Sequence, residues 1–303
     1  MVSGNYRQGS KVDAAHILTD EHVWLLKLIW FQGHDLCVFD PWFYRGSSSR
    51  SRHNPTYESV EELAQHSQRP VHIVSALLED LAQADWINDT CFPIYISKKE
   101  SLLNHLCNLQ STRPLSGYYI DVNQNERYCA PARELAKQHV VPISGRIVIR
   151  NRLCLSALSS KASWKRENRA WAKQVDMWSA QSFHPVLKEL PLIFHNLHKT
   201  IQSDERQCIS NIKNHIRLHF EPCNLESANV ICMDSNSWNQ SIFGATSHMS
   251  DLPSVDLLQC YIDLHTIAPV RSDFEDSTVV TAVRNFLLDL PLGHGLSLQQ
   301  AAT

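Results

Sequence analysis

Ser59-Val60-Glu61-Glu62-Leu63-Ala64-Gln65-His66-Ser67-Gln68-Arg69-Pro70-Val71-His72-Ile73-Val74-Ser75-Ala76-Leu77-Leu78-Glu79-Asp80-Leu81 is the stretch on which the fold turns. Ser59 and Glu62 have the spacing of a capping box, in which the hydroxyl accepts from the backbone N–H three residues on and the carboxylate reaches back. A short helix is therefore predicted over residues 59–66. Gln68 and Arg69 lead into Pro70, which suits the first turn of a second helix because its missing N–H would have no intrahelical partner there. In that helix Val74, Leu77, Leu78 and Leu81 recur at steps of three and four, the period of a buried face, and the pattern ends near Asp85 and Trp86. Two helices joined by a short turn make a helix-turn-helix.

Working outward, residues 19–32 predict an apolar helix with Val23, Leu26, Ile29 and Trp30 on one face and Gly33 placed to stop it, packing behind the other two. The connection 40–56 contains Arg45-Gly46-Ser47-Ser48-Ser49-Arg50-Ser51-Arg52, which offers nothing apolar to bury and is read as a mobile loop. After the turn Asn88-Asp89-Thr90, the β-prone run 92–96 predicts a short strand, followed by Lys98 and Lys99. A closing helix is predicted over 100–109, with Leu102, Leu103 and Leu106 apolar, and a domain boundary over 111–116 around Pro114. Beyond it, strands are predicted over 118–122 and 146–150, and helices over 131–139, 161–178, 185–200, 204–220, 254–265 and 277–288. The expected fold class is mainly α with small β (α+β). It comprises a flexible N-terminus 1–13, a helix-turn-helix domain 14–110 and an α-rich domain 111–303.

The pattern from Ser59 to Ile87 resembles the winged helix-turn-helix domains of bacterial regulators of the MarR, IclR and GntR type and of plasmid replication initiators. The resemblance rests on Ser59-Val60-Glu61-Glu62-Leu63-Ala64, on Arg69-Pro70, on Val74-Ser75-Ala76-Leu77-Leu78-Glu79-Asp80-Leu81 and on Trp86-Ile87. It implies a second helix that enters the major groove and places polar side chains of its first turns on base edges, here Gln68, Arg69, His72 and Ser75. Lys98 and Lys99 would hold the phosphate backbone from the wing. The chain departs from such domains where Val71, Ile73 and Ala76 replace polar or basic residues, and where Glu79, Asp80 and Asp85 repel phosphate. A winged helix that docks a protein, or one that is purely structural, is the alternative.

Charge is distributed unevenly. The formal net charge of −3 over 303 residues speaks against a general polyanion binder, yet residues 133–173 hold ten Lys or Arg against two Asp or Glu. Arg146, Arg150 and Arg152 lie along the strand predicted over 146–150 and its exit. On the helix predicted over 161–178, Lys161, Lys165, Arg169 and Lys173 recur every four residues along one ridge, beside Arg166 and interleaved with Trp164 and Trp171. Such a ridge suits a phosphate backbone, and the tryptophans can stack on unpaired bases. The plainer reading is a solvated face balanced by the acidic C-terminal third.

Hydrophobic residues at 43% and charged residues at 19% are the balance of a folded protein with its own core. No apolar run approaches the length of a membrane span and no signal-peptide core opens the chain, so a cytoplasmic protein without membrane association is expected. Nine cysteines without a close pair point to free thiols rather than to disulfides or a zinc ribbon. Among 16 histidines, His195 with His198 and His215 with His219 have helical metal spacing. Cys208, His215, His219 and Cys223 are the candidate zinc ligands, with core packing beside Ile209, Ile212 and Ile216 as the alternative. Asp234, Asp251, Asp256 and Asp263 are oxygen donors for Mg²⁺ in a nuclease reading, although their spacing matches no nuclease motif. No catalytic signature is present, and neither an enzymatic activity nor a cofactor is expected.

Three functions follow. The first is a DNA-binding protein, with RNA as the alternative ligand, acting as a winged-helix regulator or a replication or mobile-element factor. The second is a non-catalytic subunit of a larger nucleoprotein complex, its winged helix docking a protein partner or a second copy. The third is a metal-dependent nuclease.

Overall fold

A computed structural model describes residues 18–34, 55–111, 114–119, 143–145, 190–197, 220–235, 255–270 and 278–290. The first helix, α1 (Asp20–Trp30), starts with a capping box in which histidine takes the place usually held by Glu or Gln. Thr19 Oγ1 accepts from His22 N, and His22 Nδ1 accepts from Thr19 N at 3.2 Å. Gly33, at φ +72°, turns the chain just after the helix. The one-sided burial expected of α1 is too narrow. Trp24, Leu25, Lys27 and Leu28 are buried as well as Leu26, Ile29 and Trp30, as happens when a helix is apolar all round.

Helices α2 (Val60–Ser67) and α3 (Val71–Gln83) form where Ser59 and Pro70 place them. Ser59 Oγ accepts from Glu62 N at 3.3 Å, while the Glu62 carboxylate accepts from Glu58 N, one residue earlier than the reciprocal box requires. Gln68 makes the turn between the helices at φ +57°. Val74, Leu77, Leu78 and Leu81 are the buried face of α3.

The strand expected over 92–96 reduces to a single bridge between Ile87 and Ile96. Pro93 has no N–H for a ladder. The Asn88 side chain takes up the neighbouring backbone, accepting from Tyr95 N at 2.8 Å and donating to Pro93 O at 3.2 Å. Helix α4 (Lys99–Gln110) follows and buries Leu102, Leu103 and Leu106.

Five strands form one mixed sheet: β1 (Leu115–Tyr119), β2 (Ile143–Gly145), β3 (Leu192–Leu197), β4 (Glu221–Cys223) and β5 (Val230–Ser235), in the order β2-β3-β5-β1-β4. β3 and β5 are parallel, with His195 opposite Met233, and the other pairs are antiparallel. Where a helix was expected over 185–200, Leu192–Leu197 is a strand. A short apolar run cannot be assigned by periodicity, and here both faces are covered, so Ile193 and Phe194 are each buried on opposite sides of the pleat. β1 begins three residues before the strand expected at 118. The helix expected over 131–139, the strand over 146–150 and the helix over 161–178 lie outside the described residues.

Helix α5 (Leu257–Ile267), capped by Asp256, is buried on nearly every side, and α6 (Thr278–Asp289) packs against it. One continuous apolar core takes in α1 to α4, the Ile193, Ile231 and Met233 face of the sheet, and α5 and α6. Close approach is built into β2: a Cβ on Gly145, which sits at φ +83°, would fall 2.2 Å from Pro191 O. None of the described helices is long and apolar enough to cross a membrane.

Candidate functional site

The outer face of α3 carries the residues proposed for base contact. His72 is exposed, Ser75 is half-buried, and Gln68 is exposed at the turn. Arg69 is drawn back to α1, where its guanidinium meets Glu21 at 3.2 Å. Lys98 is paired with Asp85. Among the described residues, Arg69 and Lys98 beside α3 thus have carboxylate partners, while Glu79 and the Asp80 carboxylate stand on the exposed side. Val71, at 40% exposure, and Ala76 are exposed apolar residues, whereas Ile73 is half-buried against the core.

Lys99, assigned by the sequence to a phosphate-gripping wing, points inward instead. Its Nζ donates to Leu290 O at 2.6 Å and lies 5.8 Å from the centroid of the Trp30 ring. Burial pulls its pKa down to about 8, against a smaller upward pull from Asp289. The stability consequence has a definite sign. Between pH 8 and the ordinary lysine range the unfolded chain holds a proton that the native chain has released, so this residue adds stability as pH rises. Cys107 and Tyr261, whose pKa values burial raises to about 12, act in the opposite sense above about pH 9. The stability of the wild type relative to Lys99→Met should accordingly grow between pH 7.5 and 9, by about 1 kcal/mol. Urea denaturation of both proteins across that range checks this, and a constant difference refutes the inward, desolvated placement.

Deeper in the core lies a chain of polar side chains that the sequence reading did not assemble. Lys27 on α1 meets Asp256 at 2.8 Å, and neither side chain is accessible to solvent. Lys27 also donates to Gln259 Oε1 at 2.9 Å. The amide nitrogen of Gln259 donates to Asp263 Oδ1 at 2.8 Å and to Gln110 Oε1 at 3.0 Å. Gln110 Nε2 donates to the same Asp263 oxygen at 2.5 Å, and Asp263 Oδ2 lies 2.7 Å from His195 Nε2. Burial pushes the pKa of Asp263 up. His195, first by its charge and then by its hydrogen bond, outweighs that with help from Ser144 and Gln259, so the carboxyl sits below its ordinary range. All of these groups are fully or almost fully buried, which makes the chain a structural centre rather than an open cleft.

Two earlier candidates change character here. Asp256 and Asp263, considered as Mg²⁺ ligands, are engaged by Lys27 and by His195 with the two glutamines. His195, considered with His198 at helical metal spacing, lies on a strand, where a step of three does not return to the same face. Cys223 is half-buried at the end of β4. Cys208, His215 and His219 lie outside the described residues, as do Arg146, Arg150, Arg152, Lys161, Lys165, Arg166, Arg169 and Lys173. Among the described residues no three His, Cys, Asp or Glu side chains are grouped to hold a metal ion.

A signal for the buried chain was present in the sequence. Asp256, Gln259 and Asp263 stand at steps of three and four at the cap and along one side of a largely apolar helix, and Lys27 interrupts the apolar run Val23-Trp24-Leu25-Leu26-Lys27-Leu28-Ile29-Trp30. A charge in a helix that is apolar on every side needs a buried counter-charge. No protein-family model, curated protein or solved structure matches the chain.

Proposed function

We propose that this chain is a nucleic-acid-binding protein in which the segment 133–173 supplies the phosphate contacts and a winged helix built on α1 to α4 positions it or docks a partner. The observation that carries this reading is the division of charge. Arg69 and Lys98 beside α3 are held by Glu21 and Asp85, while ten Lys or Arg against two Asp or Glu are concentrated in 133–173. Phosphate affinity comes from Lys and Arg that displace condensed counterions, and residues 133–173 concentrate them. A regulator, or a replication or mobile-element factor, is the role that fits a positioning domain joined to a basic segment.

The second reading, a non-catalytic subunit of a nucleoprotein complex, is favoured by the exposed Val71 and Ala76 on α3, which offer a protein more than they offer a base edge. Electrophoretic mobility shift on duplex and single-stranded DNA and on RNA, at two salt concentrations, tests the proposal. Binding should weaken steeply with salt, and Lys165→Gln with Arg169→Gln should lower the slope of log affinity against log salt by about one for each residue. His72→Ala with Ser75→Ala should leave the slope unchanged. Absence of binding at low salt to all three ligands sinks the reading, and a loss confined to the α3 variant transfers the contact to that helix.

A further inference from the structure

We propose that the buried polar chain from His195 to Lys27 is a transmission element through which the state of the sheet sets the packing of α2 and α3. The path is continuous at hydrogen-bond distance. His195 on β3 meets Asp263, Asp263 meets Gln259, and Gln259 meets Lys27, with Gln110 of α4 bonded to both Asp263 and Gln259. Met233 of β5 accepts from Gln110 at 3.3 Å. From Lys27 the path continues along α1, whose polar contacts reach the helix-turn-helix: Glu21 to Arg69, His22 to Asp80 at 3.4 Å, and Trp24 Nε1 to Ser67 O at 3.4 Å.

Two features make this path suited to transmission rather than to stability alone. Buried ion pairs often stabilise no more than well-packed apolar residues of equal volume, so a core that holds the Lys27–Asp256 pair and the hydrogen-bonded His195 and Asp263 has given up packing for directional contacts. Directional contacts also have discrete arrangements. Each bridging glutamine presents a donor and an acceptor to different partners, so a displaced His195 or Asp263 obliges Gln259 to re-pair, and Lys27 loses or changes a partner as a result. A displaced α1 then acts on α2 through Trp24, on the turn through Glu21 and on α3 through His22. The proposal does not depend on any ligand of the surface, and its test does not require nucleic acid.

The test is native-state hydrogen exchange on the full chain, comparing His195→Gln in the wild-type background with the same substitution in a Gln259→Met background. In the wild-type background the amides of α2 and α3 should exchange faster by roughly 2- to 30-fold, the span of coupling that such networks carry. With Gln259 replaced, the effect of His195→Gln on α2 and α3 should fall below about twofold while its effect on β3 and α5 persists. Should His195→Gln fail to fold, Asp263→Asn perturbs the same junction more mildly and is held to the same criteria. Unchanged α2 and α3 amides in the wild-type background overturn the proposal. So does an equal acceleration with and without Gln259, because general loosening of the core would then account for it.

Discussion

Replacing Lys27 with methionine is expected to lower the unfolding free energy by about 3–5 kcal/mol, the cost of leaving one member of a buried ion pair without its partner. The substitution keeps the length and most of the apolar stem, so lost packing contributes little. What it removes is the ammonium 2.8 Å from Asp256 and the donor to Gln259. Asp256 would be left ionised in the core, or would have to take up a proton and weaken the cap it gives Gln259 N. The double variant Lys27→Met with Asp256→Asn should recover most of the loss, because asparagine carries no charge and still caps a helix well. Denaturant unfolding of the two single variants and the double variant gives the coupling directly. A Lys27→Met protein within about 1 kcal/mol of the wild type would show that the pair is hydrated, contrary to its burial.

Asp263→Ala is the second large effect, again about 3–5 kcal/mol. The carboxylate accepts from Gln110 and Gln259 on one oxygen and faces His195 with the other, so its removal strands three polar groups where no solvent reaches. Asp263→Asn should cost much less, since one amide oxygen can still accept from both glutamines. The wild type carries a pH signature that Asp263→Asn lacks. The native pKa of Asp263 is lowered, so its contribution is complete above about pH 4 and is lost as pH falls through the lowered native value. Acid unfolding midpoints of the two proteins measure this. Equal acid sensitivity, or an Asp263→Ala protein as stable as Asp263→Asn, would contradict the geometry of the site.

Legibility followed the range of the forces involved. Ser59, Pro70 and the apolar positions from Val74 to Leu81 act within a few residues of one another, so the helices they define start within one residue of the places the sequence implies, although the second ends at Gln83, short of Asp85. Leu192–Leu197 was misread as helical because its strand character depends on β2 and β5 lying alongside, which no local pattern encodes. Lys99 was misread for the same reason. Next to Lys98 in sequence it looks like half of a basic pair, but the first turn of α4 directs it towards Leu290, nearly two hundred residues further on. The candidate site was only partly legible. Polar side chains of α3 could be named individually, whereas the pairing of Arg69 with Glu21 across two helices was not visible from either residue.

The sequence by itself determined where the chain caps, turns and alternates, and it located an unusual concentration of cations in residues 133–173. Those properties are local or additive, and need no knowledge of what lies across the core. Only the tertiary structure decided which charges are spent. Lys27 faces Asp256, Asp263 faces His195, and Lys99 faces a carbonyl, because burial makes an unpaired charge too costly to retain. The partner in each case comes from a part of the chain that sequence spacing cannot bring near.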